Sequence, residues 1–272
     1  MRIGLDAVWR ATRTPAGPAT THLTVSAAGG TVTMRAWGPG ADWALASLPE
    51  LVGAADDAEG FRPALGSVVA DLHRRLPGLR IPRSKAVVEA LVPSILEQKV
   101  VGLEAKRSYA RLVRGLGEPA PGPPGLMVPP DPKTLAATPS WAFHRFGVEH
   151  KRADTIRLAC SYAARLEETV DLSPADARRR LTALPGIGPW TAAEVGLVAL
   201  GDADAVSVGD FHLPNQVAWA LAGEPRADDA RMLELLEPWR GNRGRVIRLV
   251  VAGNGAAPRY GPRMPLRSIA GI

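Results

Sequence analysis

The run Leu184-Pro185-Gly186-Ile187-Gly188-Pro189-Trp190-Thr191-Ala192 decides how the rest of this 272-residue chain is read. Two glycines one residue apart let the backbone turn tightly, with no bulky side chain between its N–H groups and solvent. Pro189 suits a first helical position, and the helix it starts turns the positive end of its dipole toward any anion held by the turn. Helical patterns flank the run, over residues 174–183 before it, with Ser173 as N-cap and Pro174 as first helical residue, and over 189–200 after it. The whole reads as two helices joined by a phosphate-binding hairpin. Out of context, the same glycines would fit an ordinary corner between helices.

Working outward, Val206-Ser207-Val208-Gly209-Asp210-Phe211-His212-Leu213 places an acid after a short apolar run, twenty residues past Trp190. An Asp at the mouth of a helix is most simply an N-cap. Upstream, Val87, Val88, Leu91, Ile95 and Leu96 recur at helical spacing. Further helices are expected over 103–116, 153–166, 216–221 and 228–236, and the seven prolines of residues 117–132 read as a stiff connector. At the front, residues 21–26 and 31–37 alternate β-branched and apolar side chains around Gly29-Gly30, a hairpin signal. Amphipathic segments over 42–52 and 64–76 are expected to cover one face of that sheet before Pro77-Gly78 breaks the pattern. The fold class is therefore mainly α. A helical domain over 80–272 with a basic C-terminal tail follows a small α/β domain, antiparallel sheet plus helices, over 1–79.

Hydrophobic residues at 46% and charged residues at 22% place the chain among globular proteins and exclude collagen, coiled coil and short disulfide scaffolds. One cysteine, Cys160, rules out an internal disulfide, a structural zinc site and a four-thiolate iron–sulfur cluster. The five histidines lack metal-ligand spacing. No apolar leader core occurs in residues 1–20 and no run of eighteen apolar residues anywhere, so a cytoplasmic setting away from the membrane is expected. The net charge of +6 is unevenly placed. Residues 1–79 carry seven bases against seven acids and residues 80–237 nineteen against twenty, while 238–272 carry seven arginines and no acid. Those arginines (Arg240, Arg243, Arg245, Arg248, Arg259, Arg263, Arg267) suit a phosphate-rich partner, nucleic acid above all. The alternative is a compositional bias, since 28 of the 33 basic residues are Arg.

The hairpin, the following helix and then Gly-Asp-aromatic-His-Leu together resemble the helix-hairpin-helix DNA glycosylases, and most of all the bacterial 3-methyladenine DNA glycosylase II group. Val92-Pro93-Ser94-Ile95-Leu96-Glu97-Gln98-Lys99-Val100 is similar to the helix and loop that enter the gap left by an extruded base. His150-Lys151-Arg152-Ala153-Asp154-Thr155-Ile156 and Pro238-Trp239-Arg240 match further segments, so the likeness covers residues 84–245 closely and 1–79 in outline. It implies a monofunctional glycosylase of base excision repair, a monomer on damaged duplex DNA and hence associated with the nucleoid, that flips and hydrolytically releases alkylated purines of the 3-methyladenine and 7-methylguanine type. Asp210 is then the catalytic carboxylate. Trp190 would stack on the flipped base where bifunctional relatives carry a Schiff-base lysine, so no lyase activity is implied. The alternative is that Trp190 only packs the hairpin.

Glu194, one turn after Trp190, stands where the family's pocket often has an aromatic; it either selects the base or faces solvent. Gln98 is the family's usual gap residue, whereas Lys99 replaces an apolar wedge. Gly186, Ile187, Gly188 and Thr191 would bind phosphate, with Arg243 and Arg245 as further DNA contacts. By the same resemblance the backbone carbonyls of Thr182, Leu184 and Gly186 would hold a monovalent cation, sodium or potassium, with no other cofactor and no iron–sulfur cluster. Two other readings stay open at this point: a glycosylase for another modified base such as hypoxanthine, and a noncatalytic protein that only binds damaged DNA.

Overall fold

A computed structural model of the protein describes residues 1–123, 125–253 and 257–258. The chain opens with β1 (Arg2–Ile3), β2 (Ala7–Thr14), β3 (Gly17–Ser26) and β4 (Thr31–Trp37), one antiparallel sheet in chain order. The hairpin expected at Gly29-Gly30 joins β3 to β4, with Ser26 opposite Thr31. β1 and β2 were not anticipated, although residues 7–14 alternate in the same way. Trp9 stacks on His22 directly across the strands at 4.0 Å and on Trp37 at 5.4 Å, a cross-strand ladder of the kind that stabilises a small sheet. Helix α1 (Ala41–Ala46) packs across β3 and β4, and α2 (Leu48–Leu51) follows it.

Helix α3 (Val68–Arg75) is capped by the Ser67 hydroxyl, which accepts the Ala70 N–H. It does not cover the sheet, as its pattern had led us to expect. Its buried face, Val69 and Leu72, joins Phe61, Leu213, Val217, Leu236 and Leu249 in a core shared with the C-terminal helices. Residue 79 is therefore not where packing divides. A helical period shows that a segment needs an apolar partner, not which one.

The central helices are α4 (Val87–Leu96) and α5 (Gly102–Leu116). The proline-rich stretch after them holds a two-stranded ribbon, β5 (Glu118–Pro119) with β6 (Met127–Val128), and so is more than a connector. Then come α6 (Pro132–Ala137), a 3-10 turn (Ser140–Phe146), α7 (His150–Ser161), α8 (Ala163–Glu167), α9 (Pro174–Thr182) and α10 (Pro189–Val195), which runs on into a π-turn (Gly196–Leu200). Last are α11 (Leu213–Ala222), α12 (Asp229–Leu236) and α13 (Arg243–Gly253). Leu91, Ile95, Leu112, Phe143, Ile156, Leu181 and Val195 form a first core around α4, and the cluster of α3 with α11, α12 and α13 forms a second. The hairpin belongs to the first core, while the loop bearing Asp210 leads into the second. No helix among the described residues is long and apolar enough to cross a membrane.

Two expected DNA contacts are corrected here. Arg245 is only 2% exposed, and its guanidinium is used up inside the protein, on both Asp56 carboxylate oxygens at 2.7 Å, the Asn242 side chain and the Asp57 carbonyl. Arg243 lies half-buried with its guanidinium on Asp204. Arg240 is paired with Glu237, whereas Arg248 is exposed. Arg259, Arg263 and Arg267 lie outside the described residues. Counting charges along a chain cannot show which of them find a carboxylate after folding.

The Arg245–Asp56 pair ties the loop after α2 to α13. Burial alone would raise the Asp56 pKa, but the hydrogen bonds and charge of Arg245 and the Ile81 N–H hold it below the usual aspartate range. Removing one partner leaves a buried charge unmatched. Arg245→Ala is expected to lower the unfolding free energy by about 3 kcal/mol in urea titrations, with partial recovery when Asp56→Asn is added.

Candidate active site

Helices α9 and α10 are joined by the turn at 183–188, and its geometry explains Gly186. Gly186 sits at φ +87, and a Cβ there would come within 2.5 Å of the Thr155 hydroxyl on α7, so only glycine allows this approach. Gly188 is the N-cap of α10 in an extended conformation without side-chain cap, followed by Pro189. The amides of Trp190 and Thr191 in the first turn thus lack acceptors within their helix. Ile187 and Thr191, expected at the DNA surface, turn their side chains inward and are buried. What they can offer a phosphate is backbone, and the Ile187 amide is already donated to the Leu184 carbonyl at 3.1 Å.

Gln98, two residues beyond α4, donates its side-chain amide to the Gly186 carbonyl and to the Thr191 hydroxyl, both at 2.9 Å. It therefore braces the hairpin. Lys99, the next residue, is exposed and holds a left-handed conformation at φ +56, unusual for a residue with a long side chain. Thr182 ends α9, and Leu184 and Gly186 follow in the turn beyond it, near the negative end of the helix dipole. Leu184 and Gly186 each accept one hydrogen bond there, and each carbonyl keeps a second lone pair. No group of three or more His, Cys, Asp or Glu among the described residues could hold a metal.

Asp210 is brought to the hairpin by the loop before α11. One carboxylate oxygen accepts the backbone N–H groups of His212 and Leu213 at 2.8 and 2.9 Å, and the other accepts the Trp190 indole N–H at 3.1 Å. The N-cap of α11 is His212, so Asp210 is not the cap itself but stands two residues ahead of it, holding the first N–H groups of the helix and the Trp190 indole together. Glu194, half-buried on the same helix as Trp190, accepts the Ser207 hydroxyl. It does not simply face solvent. Three residues that sequence reasoning missed complete the surroundings. Glu97 lies at the C-cap of α4 with its charge acting on Glu194; Asp229 accepts the Gly209 N–H at 3.0 Å; and Phe211, 81% exposed, stands beside Asp210. A cavity of about 240 Å³ lies on the other side of α10, between Arg178, Leu181, Pro189, Ala192 and Asp202, and does not include Asp210 or Trp190 in its walls.

Burial pushes the Glu194 carboxyl above the usual glutamate range; the Ser207 hydroxyl opposes the rise, and the charges of Asp210 and Glu97 add to it. Burial also raises Glu97, with Asp210 adding and Lys106 opposing. The folded protein thus holds the Glu194 proton more tightly than the unfolded chain does, so this contribution to stability is present at acid pH and lost as pH rises through the raised pKa. Glu194→Gln keeps an acceptor for Ser207 and removes the charge. It is expected to raise the melting temperature by about 2 °C at pH 8 and to leave it unchanged near pH 4, measured by differential scanning fluorimetry.

No protein-family model matches the chain. Over 159 residues it is 32% identical to the probable bifunctional transcriptional activator/DNA repair enzyme AlkA of Mycobacterium tuberculosis, a stretch covering 58% of this chain and 31% of the relative. The chain thus spans about a third of the length of the curated relatives it matches. Among solved structures it superimposes on a 3-methyladenine DNA glycosylase from Archaeoglobus fulgidus with a TM-score of 0.75 at 19% identity, covering 92% of this chain and 87% of that one. An 8-oxoguanine glycosylase/lyase of Clostridium acetobutylicum, in complex with double-stranded DNA, gives 0.67 at 15% identity over 89% and 85%. The 3-methyladenine DNA glycosylase Mag1 of Schizosaccharomyces pombe, in complex with abasic DNA, gives 0.59 at 18% identity over 72% and 96%. With its hairpin, the acid-bearing loop that follows and the sheet in front, the chain has the fold of the helix-hairpin-helix DNA glycosylases.

Proposed function

We propose that the protein is a monofunctional DNA glycosylase of base excision repair that acts as a monomer on damaged duplex DNA and hydrolytically releases alkylated purines of the 3-methyladenine and 7-methylguanine type. The observation that carries this reading is the Asp210 carboxylate held against the Trp190 indole beside a hairpin whose second helix starts without a side-chain cap. The likeness to a DNA repair enzyme and to glycosylases solved with DNA supports it.

In this mechanism the damaged nucleotide leaves the stack and its base enters the site beside Trp190. The base–sugar bond breaks as the base departs, the deoxyribose gains oxocarbenium character, and the Asp210 carboxylate stabilises that charge while water adds to the sugar carbon. Two helix amides and the indole N–H fix the carboxylate beforehand, so little reorganisation accompanies reaction. An alkylated purine is cationic. It gains from stacking on the Trp190 ring and from the negative surroundings that Glu97, Glu194 and Asp210 create together. The amides at the start of α10 would take a phosphate, Lys99 would meet the DNA from its exposed turn, and a monovalent cation on the carbonyls of Thr182, Leu184 and Gly186 would add positive charge beside that phosphate. Trp190 cannot form a Schiff base, so the product is an abasic site in an unbroken strand.

Purified protein incubated with methylated duplex DNA is expected to release 3-methyladenine, read by chromatography, and Asp210→Asn to slow release by roughly 10²–10³-fold while binding the duplex at least as well. Retained binding with no base released by the wild type would instead favour the noncatalytic reading. Denaturing gels run before any alkaline treatment are expected to show intact strands. Nicked product at that stage would contradict the monofunctional assignment.

A further inference from the structure

Asp229 occupies the first turn of α12, where its charge suits the positive end of the helix dipole but is not needed as a cap. The cap of that helix is already supplied by Asp228, whose side chain accepts the Arg231 N–H. Asp229 instead reaches away from its helix, and its single hydrogen bond is to the Gly209 N–H at 3.0 Å. Among the described residues its other oxygen is buried without a hydrogen-bond partner, an arrangement that costs stability and that helix formation does not require.

Gly209 is the residue immediately before Asp210. It stands at φ +94, where no neighbour lies within 4 Å of a would-be Cβ, so the backbone conformation and not space calls for glycine. Such a residue rotates freely unless something holds it. Its N–H is held by Asp229, the following Asp210 N–H by the Ser207 carbonyl at 3.2 Å, and Ser207 in turn by Glu194. Beyond that, the Asp210 carboxylate meets the Trp190 indole from the other core.

We propose that Asp229 is a positioning residue that fixes the Gly209 peptide and so aims the Asp210 carboxylate at the reacting sugar, with Trp190 as its counterpart on the hairpin. This deepens the glycosylase reading and rests on it. The hydrogen bond itself needs only an acceptor at the Asp229 Oδ2 position. Asn supplies one there, Ala none, and Glu keeps the negative charge near the helix N-terminus but carries its oxygens one methylene further out.

The test measures three variants, Asp229→Ala, Asp229→Glu and Asp229→Asn, for single-turnover release of methylated base, duplex affinity and the proton–nitrogen resonance of the Trp190 indole. Asp229→Ala and Asp229→Glu are expected to lower the single-turnover rate by about tenfold or more with affinity unchanged, and to shift the indole signal as Asp210 moves off it. Asp229→Asn is expected to recover most of the rate and the wild-type signal. Wild-type behaviour of Asp229→Glu would overturn the proposal, because it would leave only a helix-dipole role; so would a fall in affinity or melting temperature that parallels the rate. Absence of base release by the wild type would sink the glycosylase reading alone, since the indole resonance reports on the Asp229–Gly209–Asp210 linkage whether or not a base is released. An indole signal unmoved in Asp229→Ala would then sink the linkage.

Discussion

The molecule depends on one constraint, that α4 is buried along most of its length and its backbone ends must be satisfied by distant parts of the chain. Val87, Val88, Leu91, Val92, Ile95 and Leu96 are all buried, so water is not available to cap the helix. At the N-terminus the Glu167 carboxylate accepts the Val87 and Val88 N–H groups, both at 2.9 Å. At the C-terminus the buried Arg152 donates to the Leu96 carbonyl at 2.7 Å, a cation at the negative end of the dipole. On the flank, Glu89 takes the Arg10 guanidinium and the Thr12 hydroxyl of β2, which fastens the sheet to the helices. Gln98, just beyond the helix, braces the hairpin. Satisfying one apolar helix therefore fixes the sheet, α7, α8 and the turn at 183–188 in a single arrangement.

The site forms where that first core meets the second. Trp190 and Glu194 come from the hairpin helix, and Asp210 from a loop whose other end enters the core of α3, α11, α12 and α13. The Asp210 carboxylate spans the seam, with one oxygen on helix amides and one on the indole. A capping aspartate and a catalytic one are usually treated as competing readings. Here, two residues ahead of the N-cap His212, the carboxylate accepts the first N–H groups of α11, so the direction it would need in either role is set by donors that a helix N-terminus fixes at little entropic cost.

Charge follows the same logic of partners found only on folding. The basic C-terminal segment looks in sequence like a nucleic-acid arm, yet Arg240, Arg243 and Arg245 each meet a carboxylate, and Arg245 is buried against Asp56 almost two hundred positions earlier in the chain. Acid accumulates instead around the site, where burial raises the cost of ionising Glu97 and Glu194 and the nearby Asp210 charge adds to it.

Much of this was legible in the amino-acid order alone. The glycine spacing with Pro189, the Ser173 cap, the helical period of 87–96 and the alternation around Gly29-Gly30 are local signals, and they specify local structure because turns, caps and short-range periodicity are decided by neighbouring residues. That Trp190 and Asp210 belong to one site was implied by the family resemblance, but the hydrogen bond between them was not. What sequence could not decide was partnership at long range: that α3 would leave the sheet for the C-terminal helices, that Arg245 would be spent on Asp56, that Gln98 would bind the hairpin while Lys99 turned outward, and that Asp229 would hold Gly209. These are outcomes of packing and of the need to satisfy buried polar groups, and they exist only once distant segments have closed around the same core.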